Sequence, residues 1–170
     1  MPPKSPDGKY THFPLFMDLR EKRILFAGGG RIASRRLGVM CAFEGNYTVI
    51  ASEISDEIRA IAADDPAVTL IERDCTAADL DGMDIVIIAT DDKDLNAQLA
   101  QEAHARGLLV NDASHPQLCD FYFPGIVTKD ETVVGVTASG RDHYKAKKLR
   151  MDIAEMMGGE ALDAKPRKKE

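Results

Sequence analysis

Apolar positions in this chain follow two alternating patterns. Short apolar runs predict buried strands, and longer stretches in which apolar residues recur every three or four positions predict helices. The predicted strands cover residues 24–27, 47–51, 68–71, 85–89 and 108–110. The predicted helices cover residues 32–43, 56–64 and 93–106. Strands that alternate with helices are typical of the α/β class, so we expect a doubly wound parallel sheet over residues 10–111.

The pattern changes after the fifth predicted strand. Two apolar runs, residues 121–127 and 132–137, follow one another without a helix between them. We expect a small antiparallel extension there, followed by a C-terminal basic helix over residues 142–157. A two-stranded hairpin is marginally stable alone, and this one is strongly apolar, so residues 112–150 predict a homodimer. The apolar lead-in at residues 12–19 is expected to pack beside the first strand.

Three consecutive glycines separate the first predicted strand from the first predicted helix. Gly28, Gly30 and Ala33 match the Gly-x-Gly-x-x-Ala spacing of a dinucleotide-binding turn, which indicates a Rossmann-like fold. The first glycine permits a tight turn, and the second lets the backbone approach a pyrophosphate lying over the start of the helix. The candidate cofactor contacts at this turn are Gly28, Gly29, Gly30, Arg31 and Ile32. The alternative is a turn that binds no ligand.

Two further loops are expected to contact the cofactor, because ligands bind beyond the carboxyl ends of the strands in open parallel sheets. Ser52 and Glu53 follow the second strand, where a ribose-binding acid is usual, although Glu53 can instead cap the next loop. Thr90 and Asp91 follow the fourth strand, although Asp91 and Asp92 can instead cap the helix that comes next. Because no acid stands unambiguously at the ribose position, the choice between NAD and NADP stays open.

The composition excludes several classes of protein. The 170 residues carry a formal charge of −6, which argues against nucleic-acid binding. No apolar run approaches the ~20 residues of a membrane-spanning helix, and the N-terminus lacks an apolar signal region, so we expect no membrane association. The three cysteines show neither paired nor metal-ligand spacing, which predicts reduced thiols in the cytoplasm and no metal site in the protein.

Four segments resemble, in the same order, the precorrin-2 dehydrogenase/sirohydrochlorin ferrochelatase family, the N-terminal module of siroheme synthases. They are Phe13-Pro-Leu-Phe-Met-Asp-Leu, Gly28-Gly-Gly-Arg-Ile-Ala-Ser-Arg, Ile88-Ala-Thr-Asp-Asp and Leu118-Cys-Asp-Phe-Tyr-Phe-Pro. The likeness extends over roughly residues 10–150. It implies an NAD-binding Rossmann domain, a dimerisation region, and NAD-dependent oxidation of precorrin-2 to sirohydrochlorin. In several members Fe²⁺ insertion into the macrocycle follows, and the tetrapyrrole itself supplies the nitrogens.

The substrate that this resemblance implies is a polycarboxylate, so an acidic protein needs local positive charge to bind it. Basic residues concentrate in the predicted C-terminal helix, where Lys145 and Lys148 lie three positions apart and share a face. The candidate substrate-binding residues are Arg35, Arg141, Lys145 and Lys148. The alternative is an ordinary solvated helix face.

The chain departs from the family after the fifth strand, in the run Asn-Asp-Ala-Ser-His-Pro that starts at Asn111. Ser114 stands where the family has an Asp with an assigned catalytic role. Asp112 lies two positions earlier, so in an extended segment it points to the same side. His115 is the histidine best placed for acid–base chemistry. The catalytic candidates are Asp112, Ser114 and His115, with Asp112 as the first choice for a base. The alternative for Asp112 is that it only orders the turn.

The predicted organisation is an NAD-binding domain over residues 10–111, a dimerisation and substrate-binding extension over residues 112–157, and flexible tails at residues 1–9 and 158–170. Three functions stay open. The chain is an oxidoreductase that makes sirohydrochlorin, a non-catalytic member of the same fold that binds nucleotide or tetrapyrrole, or a nucleotide-sensing regulatory domain of a transport system. The last is the least favoured, because such domains usually carry a clear acidic ribose ligand.

Overall fold

The computed structural model describes residues 12–138 and 142–162, and the chain divides into two compact units. We call Asp18–Phe121 the Rossmann unit. Tyr122–Leu162, together with residues 12–17, is the extension unit. The boundary falls about ten residues later than the predicted one, because the loop after the fifth strand packs with the sheet that precedes it.

The Rossmann unit contains a five-stranded parallel sheet in the order β3-β2-β1-β4-β5. The strands are β1 Arg23–Ala27, β2 Asn46–Ala51, β3 Val68–Glu72, β4 Ile85–Ile88 and β5 Leu109–Asp112. The helices are α1 Arg31–Met40, α2 Asp56–Asp64 and α3 Lys93–Ala105, with short 3-10 helices at Ala77–Leu80 and Pro116–Leu118. The strand order reverses between β1 and β4, and ligands of doubly wound sheets bind beyond the carboxyl ends of strands at such a reversal. The predicted fold class is confirmed.

Apolar side chains from both the sheet and the helices form the core of this unit. Every residue of β4 is buried, as expected for a central parallel strand. Leu99 and Ala103 of α3 are buried in the same cluster as Val86 and Ile88 of β4. A fully buried Leu or Ile side chain stabilises the fold by about 1.5–3 kcal/mol, so the helical stripe and the strand run hold α3 on the sheet.

The first helix ends at Met40 rather than at residue 43. The buried Tyr47 hydroxyl lies 2.7 Å from the carbonyl oxygen of Met40 and 3.0 Å from that of Phe43, and donates to these oxygens. The side chain of a β2 residue thus satisfies carbonyls that a continuing helix would use. The apolar periodicity continues past this point, which is why the sequence pattern predicts a longer helix.

The extension unit is a three-stranded antiparallel sheet with one helix. Its elements are β6 Gly125–Lys129, β7 Thr132–Val136, α4 His143–Met157 and β8 Glu160–Leu162, with strand order β7-β6-β8. The prediction of a flexible tail from residue 158 is therefore wrong for residues 158–162, which include strand β8. Gly158 turns the chain with φ 58°, and Arg150 donates to the carbonyl oxygen of buried Leu162 at 2.7 Å. The other predicted tail segments, 1–9 and 163–170, lie outside the described residues.

The apolar lead-in does not have the predicted burial. Phe13, Leu15 and Phe16 are 88%, 74% and 70% exposed. Within the extension unit the ring of His12 lies 4.4 Å from that of Tyr122, measured between centroids. These apolar side chains therefore remain available on the surface of the single chain. Among the described residues, none of the helices has the length and apolar character that crossing a membrane requires.

Candidate active site

Two glycines of the turn between β1 and α1 are required by the packing of the protein itself. Gly28 has φ 116°, and a Cβ there would lie 2.4 Å from the carbonyl oxygen of Ala89, just after β4. A Cβ on Gly29 would lie 2.1 Å from the carbonyl oxygen of Glu53, after β2. Real side chains do not make such contacts with backbone. The turn, residues 28–30, is therefore wedged between the segments that follow β2 and β4, and we call it the glycine turn.

Gly30 differs, because nothing in the fold requires it to be glycine. Its backbone is extended, with φ −89° and ψ −166°, and a Cβ there would meet no atom within 4 Å. It is the N-cap of α1, and no side chain caps that helix. The other three described α-helices each receive a side-chain cap, from Ser55, Asp92 and Asp142.

This geometry fits an anionic group in front of α1. The first turn of the helix contains no acidic residue, and its leading N–H groups have no partner within the helix. Together with open space over Gly30, these are the conditions under which a helix N-terminus binds a phosphate. Arg31 and Ile32 occupy the exposed first turn, with Ile32 41% exposed. The residues present therefore fit the pyrophosphate of a dinucleotide.

The segment after β2 lies against the glycine turn. Ser55 donates its backbone N–H to the carbonyl oxygen of Gly29 at 3.0 Å, and its hydroxyl caps α2. Ser52 and Glu53, between β2 and Ser55, are exposed. Ser55 is thus the cap of α2, and the role of Glu53 toward a ribose stays a prediction.

The segment after β4 is tied to the β5 loop, residues 112–119, through Asn96 of α3. Asn96 is fully buried, and its amide donates to the carbonyl oxygen of Thr90 and to the hydroxyl oxygen of Ser114, each at 2.9 Å. Thr90 donates its hydroxyl to the amide oxygen of Asn96. A single amide therefore joins a predicted cofactor contact to a predicted catalytic residue. Asp91 is exposed, and the neighbouring Asp92 caps α3.

Sequence reasoning missed Asn96, although a signal exists. The residue lies on the sheet-facing side of α3, near Leu95, Leu99 and Ala100. A polar residue in such an apolar stripe needs a partner, because burying an unpaired amide costs roughly 1–3 kcal/mol.

Asp112 lies inside the β5 loop rather than on an open surface. Its side chain is fully buried, and one carboxylate oxygen accepts the backbone N–H groups of Ser114, at 2.7 Å, and His115, at 3.2 Å. The other carboxylate oxygen lies 2.9 Å from Nδ1 of His115. The His115 side chain is 24% exposed. Within this pair the imidazole, and not the carboxylate, reaches the surface.

Cys119 and Arg36 complete the surroundings of this pair. The Cys119 sulfur lies 3.1 Å from both the backbone nitrogen and the carbonyl oxygen of Asp112. Burial raises the pKa of the Cys119 thiol, so at neutral pH it remains a donor. For Arg36 of α1, burial first, and then the charge of Arg35, lower the pKa to about 10, while the Asp112 carboxylate opposes this shift. Arg36 therefore stays cationic at neutral pH.

The predicted substrate-binding residues divide between the two units. Arg35 is exposed on α1 of the Rossmann unit, and Lys145 and Lys148 are exposed on α4 of the extension unit. Arg141 lies outside the described residues. Lys145 and Lys148 share the helix predicted for them. In the part of the chain that the structure covers, no three His, Cys, Asp or Glu side chains are grouped to hold a metal ion, and all three cysteines are unpaired.

Comparisons with known proteins agree with this architecture. Residues 15–125 match the family model described as "Putative NAD(P)-binding". The chain is 36% identical over 138 residues to a siroheme synthase of Psychrobacter cryohalolentis and 36% identical over 142 residues to one of Pseudomonas fluorescens. These matches cover 81% and 84% of this chain but only 26% and 30% of the relatives.

A solved structure shows the same fold. The protein named SirC, precorrin-2 dehydrogenase, superposes with a TM-score of 0.72 at 22% identity, over 85% of this chain and 71% of that one. The sheet order and the added antiparallel unit are thus an architecture that a solved protein also has. The resemblance inferred from the four sequence segments is confirmed.

Proposed function

Because the chain belongs to the NAD(P)-binding family whose model covers residues 15–125, we propose that it is an NAD-dependent dehydrogenase that oxidises precorrin-2 to sirohydrochlorin in siroheme biosynthesis. The likeness to siroheme synthases and to a precorrin-2 dehydrogenase supports this reaction. The chain spans only 26% and 30% of the two siroheme synthases described above, so we propose this one activity and not everything that they do. Unpaired cysteines support a reducing compartment, and we place the protein in the cytoplasm.

The observation that carries the proposal is the open space over Gly30 at an α-helix that no side chain caps. The backbone of the glycine turn, continued by Arg31 and Ile32, would hold the pyrophosphate. Ser52 and Glu53 would face the ribose nearest the second strand, and Thr90 and Asp91 would border the cofactor on the other side. When bound, NAD⁺ supplies the hydride acceptor for the oxidation.

The substrate would bring many carboxylates to this acidic chain. These carboxylates would be bound by the basic side chains of Arg35, Arg141, Lys145 and Lys148, because a positive charge at the surface attracts a carboxylate. The β5 loop, which carries Asp112, Ser114 and His115, would lie beside the macrocycle, with the exposed part of His115 facing it. Removing a hydride and a proton from the substrate needs a group that accepts that proton, and the β5 loop is where we expect it.

The direct test is anaerobic incubation of the purified protein with NAD⁺ and precorrin-2, with absorbance recording sirohydrochlorin. We expect product to accumulate. Adding Fe²⁺ to the same reaction tests whether iron, as a second substrate, enters the product. NAD⁺ binding without turnover would support the non-catalytic alternative and contradict the proposal.

A Gly30→Leu variant tests the cofactor site itself. A leucine side chain fits the backbone angles at this position but fills the space for the pyrophosphate, so we expect NAD⁺ affinity to fall at least tenfold while the protein stays folded. Gly135→Leu is the matched control, since a Cβ at that exposed strand position meets nothing closer than 3.8 Å. Unchanged NAD⁺ affinity in folded Gly30→Leu would rule the site out.

We also propose that the protein is a homodimer formed through residues 112–150. Within this range Tyr144 is 79% and Leu149 is 47% exposed, and the extension unit also exposes Met156, Phe13 and Phe16, which lie outside the range. Exposed apolar area of this kind is typical of an association surface. Sedimentation at micromolar protein should give a dimer, and a monomer would contradict this proposal without affecting the cofactor site.

A further inference from the structure

We propose that the proton acceptor of the β5 loop is His115, and that Asp112 acts as the residue that positions it. This inference rests on the proposed function, since it assigns a role within that reaction. It differs from the expectation that Asp112 takes the proton directly. Asp112 has a fully buried side chain, so it cannot touch a macrocycle, whereas the imidazole that it holds reaches the surface.

The hydrogen bonds of the loop determine which ring nitrogen carries the proton. One Asp112 oxygen accepts two backbone N–H groups, at 2.7 and 3.2 Å, and the other faces Nδ1 of His115 at 2.9 Å. An ionised carboxylate only accepts hydrogen bonds, so the nitrogen facing it must donate. Neutral His115 therefore carries its hydrogen on Nδ1, and Nε2 keeps a lone pair for an incoming proton.

Ser114 is less suited to this role. Its hydroxyl oxygen accepts a hydrogen bond from Asn96 at 2.9 Å, which ties it to the fully buried amide. A serine hydroxyl also becomes an effective nucleophile or base only when a neighbouring group takes its proton. Ser114 is thus a positioning residue that links the β5 loop to α3.

The proton balance of the reaction gives His115 a defined task. The substrate loses one hydrogen as hydride to NAD⁺ and a second as a proton, and a new double bond forms in the macrocycle. Nε2 of His115 accepts the proton and later releases it to water. The resulting imidazolium lies beside the Asp112 carboxylate, which stabilises the positive charge, as an orienting carboxylate does in hydrolase triads. Arg36 and the Cys119 thiol are the other titratable groups near this carboxylate.

An Asp112→Asn variant tests the geometry without any substrate. The amide oxygen of Asn can replace the carboxylate oxygen that accepts the two backbone N–H groups, which turns its NH₂ toward His115. Nδ1 must then accept, and the ring hydrogen moves to Nε2. We expect ¹⁵N NMR of the cofactor-free protein, at a pH where the ring is neutral, to show hydrogen on Nδ1 in the wild type and on Nε2 in Asp112→Asn. His115→Ala identifies the signals. A wild-type ring with its hydrogen on Nε2 would overturn the inference.

Turnover gives the second readout. Under saturating NAD⁺, His115→Ala and Asp112→Asn should each lower kcat by roughly 10²–10⁴-fold, which is the usual contribution of a general base, while NAD⁺ affinity stays unchanged. His104→Ala is the matched control, because His104 of α3 lies 3.2 Å from Asp120, and both side chains of this His–Asp pair are exposed. It should keep wild-type turnover.

The outcomes separate this inference from the proposed function. If the wild type turns over and His115→Ala does so equally fast, the assignment of His115 is wrong and the dehydrogenase function stands. If the wild type binds NAD⁺ but never oxidises precorrin-2, both are wrong. If Asp112→Asn fails to fold, His115→Ala still decides, because it leaves the two backbone hydrogen bonds of Asp112 in place.

Discussion

The glycine turn and the β5 loop lie at the same edge of one sheet, but they are built in opposite ways. The glycine turn depends on missing side chains, since Gly28 and Gly29 have no room for a Cβ and Gly30 leaves space that the fold does not use. The β5 loop depends on side chains that satisfy one another, with Asp112, His115 and Cys119 joined by hydrogen bonds. One half of the site is thus shaped by sterics, and the other by a polar network.

The difference has consequences for how each half responds to change. A turn that is shaped by sterics cannot accommodate added side-chain atoms at its crowded positions, but the chemical character of neighbouring side chains has little effect on it. A polar network tolerates little loss, because each buried partner left unsatisfied costs roughly 1–3 kcal/mol.

Gly29→Ala should destabilise the protein by about 3 kcal/mol or more. Its Cβ would lie 2.1 Å from the Glu53 carbonyl oxygen and 2.9 Å from the Ala51 Cβ, so the segment after β2 must move. Gly30→Ala is the matched variant at the next position, and it should cost no more than about 1 kcal/mol, because alanine is only a poorer N-cap than glycine. Urea unfolding measures both. Equal losses of stability in the two variants would show that Gly30 is as crowded as Gly29.

Asn96→Leu should cost about 2–3 kcal/mol, although leucine is similar in size and more apolar. The change removes the amide that pairs with Thr90 and Ser114, and it leaves their half-buried polar groups without these bonds. Gln98→Leu, at an exposed position of the same helix, is the control and should be nearly neutral. Thermal unfolding of the two variants measures this difference in stability. If Asn96→Leu is as stable as Gln98→Leu, the network does not hold the β5 loop.

The same contrast explains what the sequence could and could not predict. The strands and helices follow from local periodicity, and the glycine turn shows in the spacing of Gly28, Gly30 and Ala33, so all of them can be predicted from residues close together in the chain. Asn96, Cys119 and Arg36 come from three different segments, and their meeting at Asp112 and Ser114 depends on the tertiary fold. Strand β8 was missed for a related reason. Its three residues, Glu160–Leu162, have no apolar pattern of their own and form a strand only because β6 offers an open edge.

The Arg73–Asp79 pair lies in the Rossmann unit, outside both the glycine turn and the β5 loop. It is the reference for an ordinary polar contact, and its loss should have the smallest effect on stability. Asp79 accepts from Arg73 at 2.8 Å, and also from the backbone N–H of Thr76, the N-cap of the 3-10 helix Ala77–Leu80. The hydrogen bond from Arg73, assisted by those from Thr76, lowers the pKa of Asp79 to about 2 from 3.8. Because the folded-state pKa is depressed, the stabilisation is present above about pH 4 and is lost as the pH falls toward about 2. Arg73 is 47% exposed, so solvent screening keeps this contribution small.

Asp79→Asn should therefore be slightly less stable than the wild type at neutral pH. The two proteins should converge as the pH approaches about 2. The difference in urea midpoint between wild type and variant, measured across this range, isolates Asp79 from the other carboxylates. A difference that does not change with pH would mean that the loss comes from the helix cap and not from the ionised pair. If Asp79→Asn lost as much stability as Asn96→Leu, a surface ion pair and the buried network around Asn96 would not differ in strength. The contrast between the glycine turn and the β5 loop would then lose its basis.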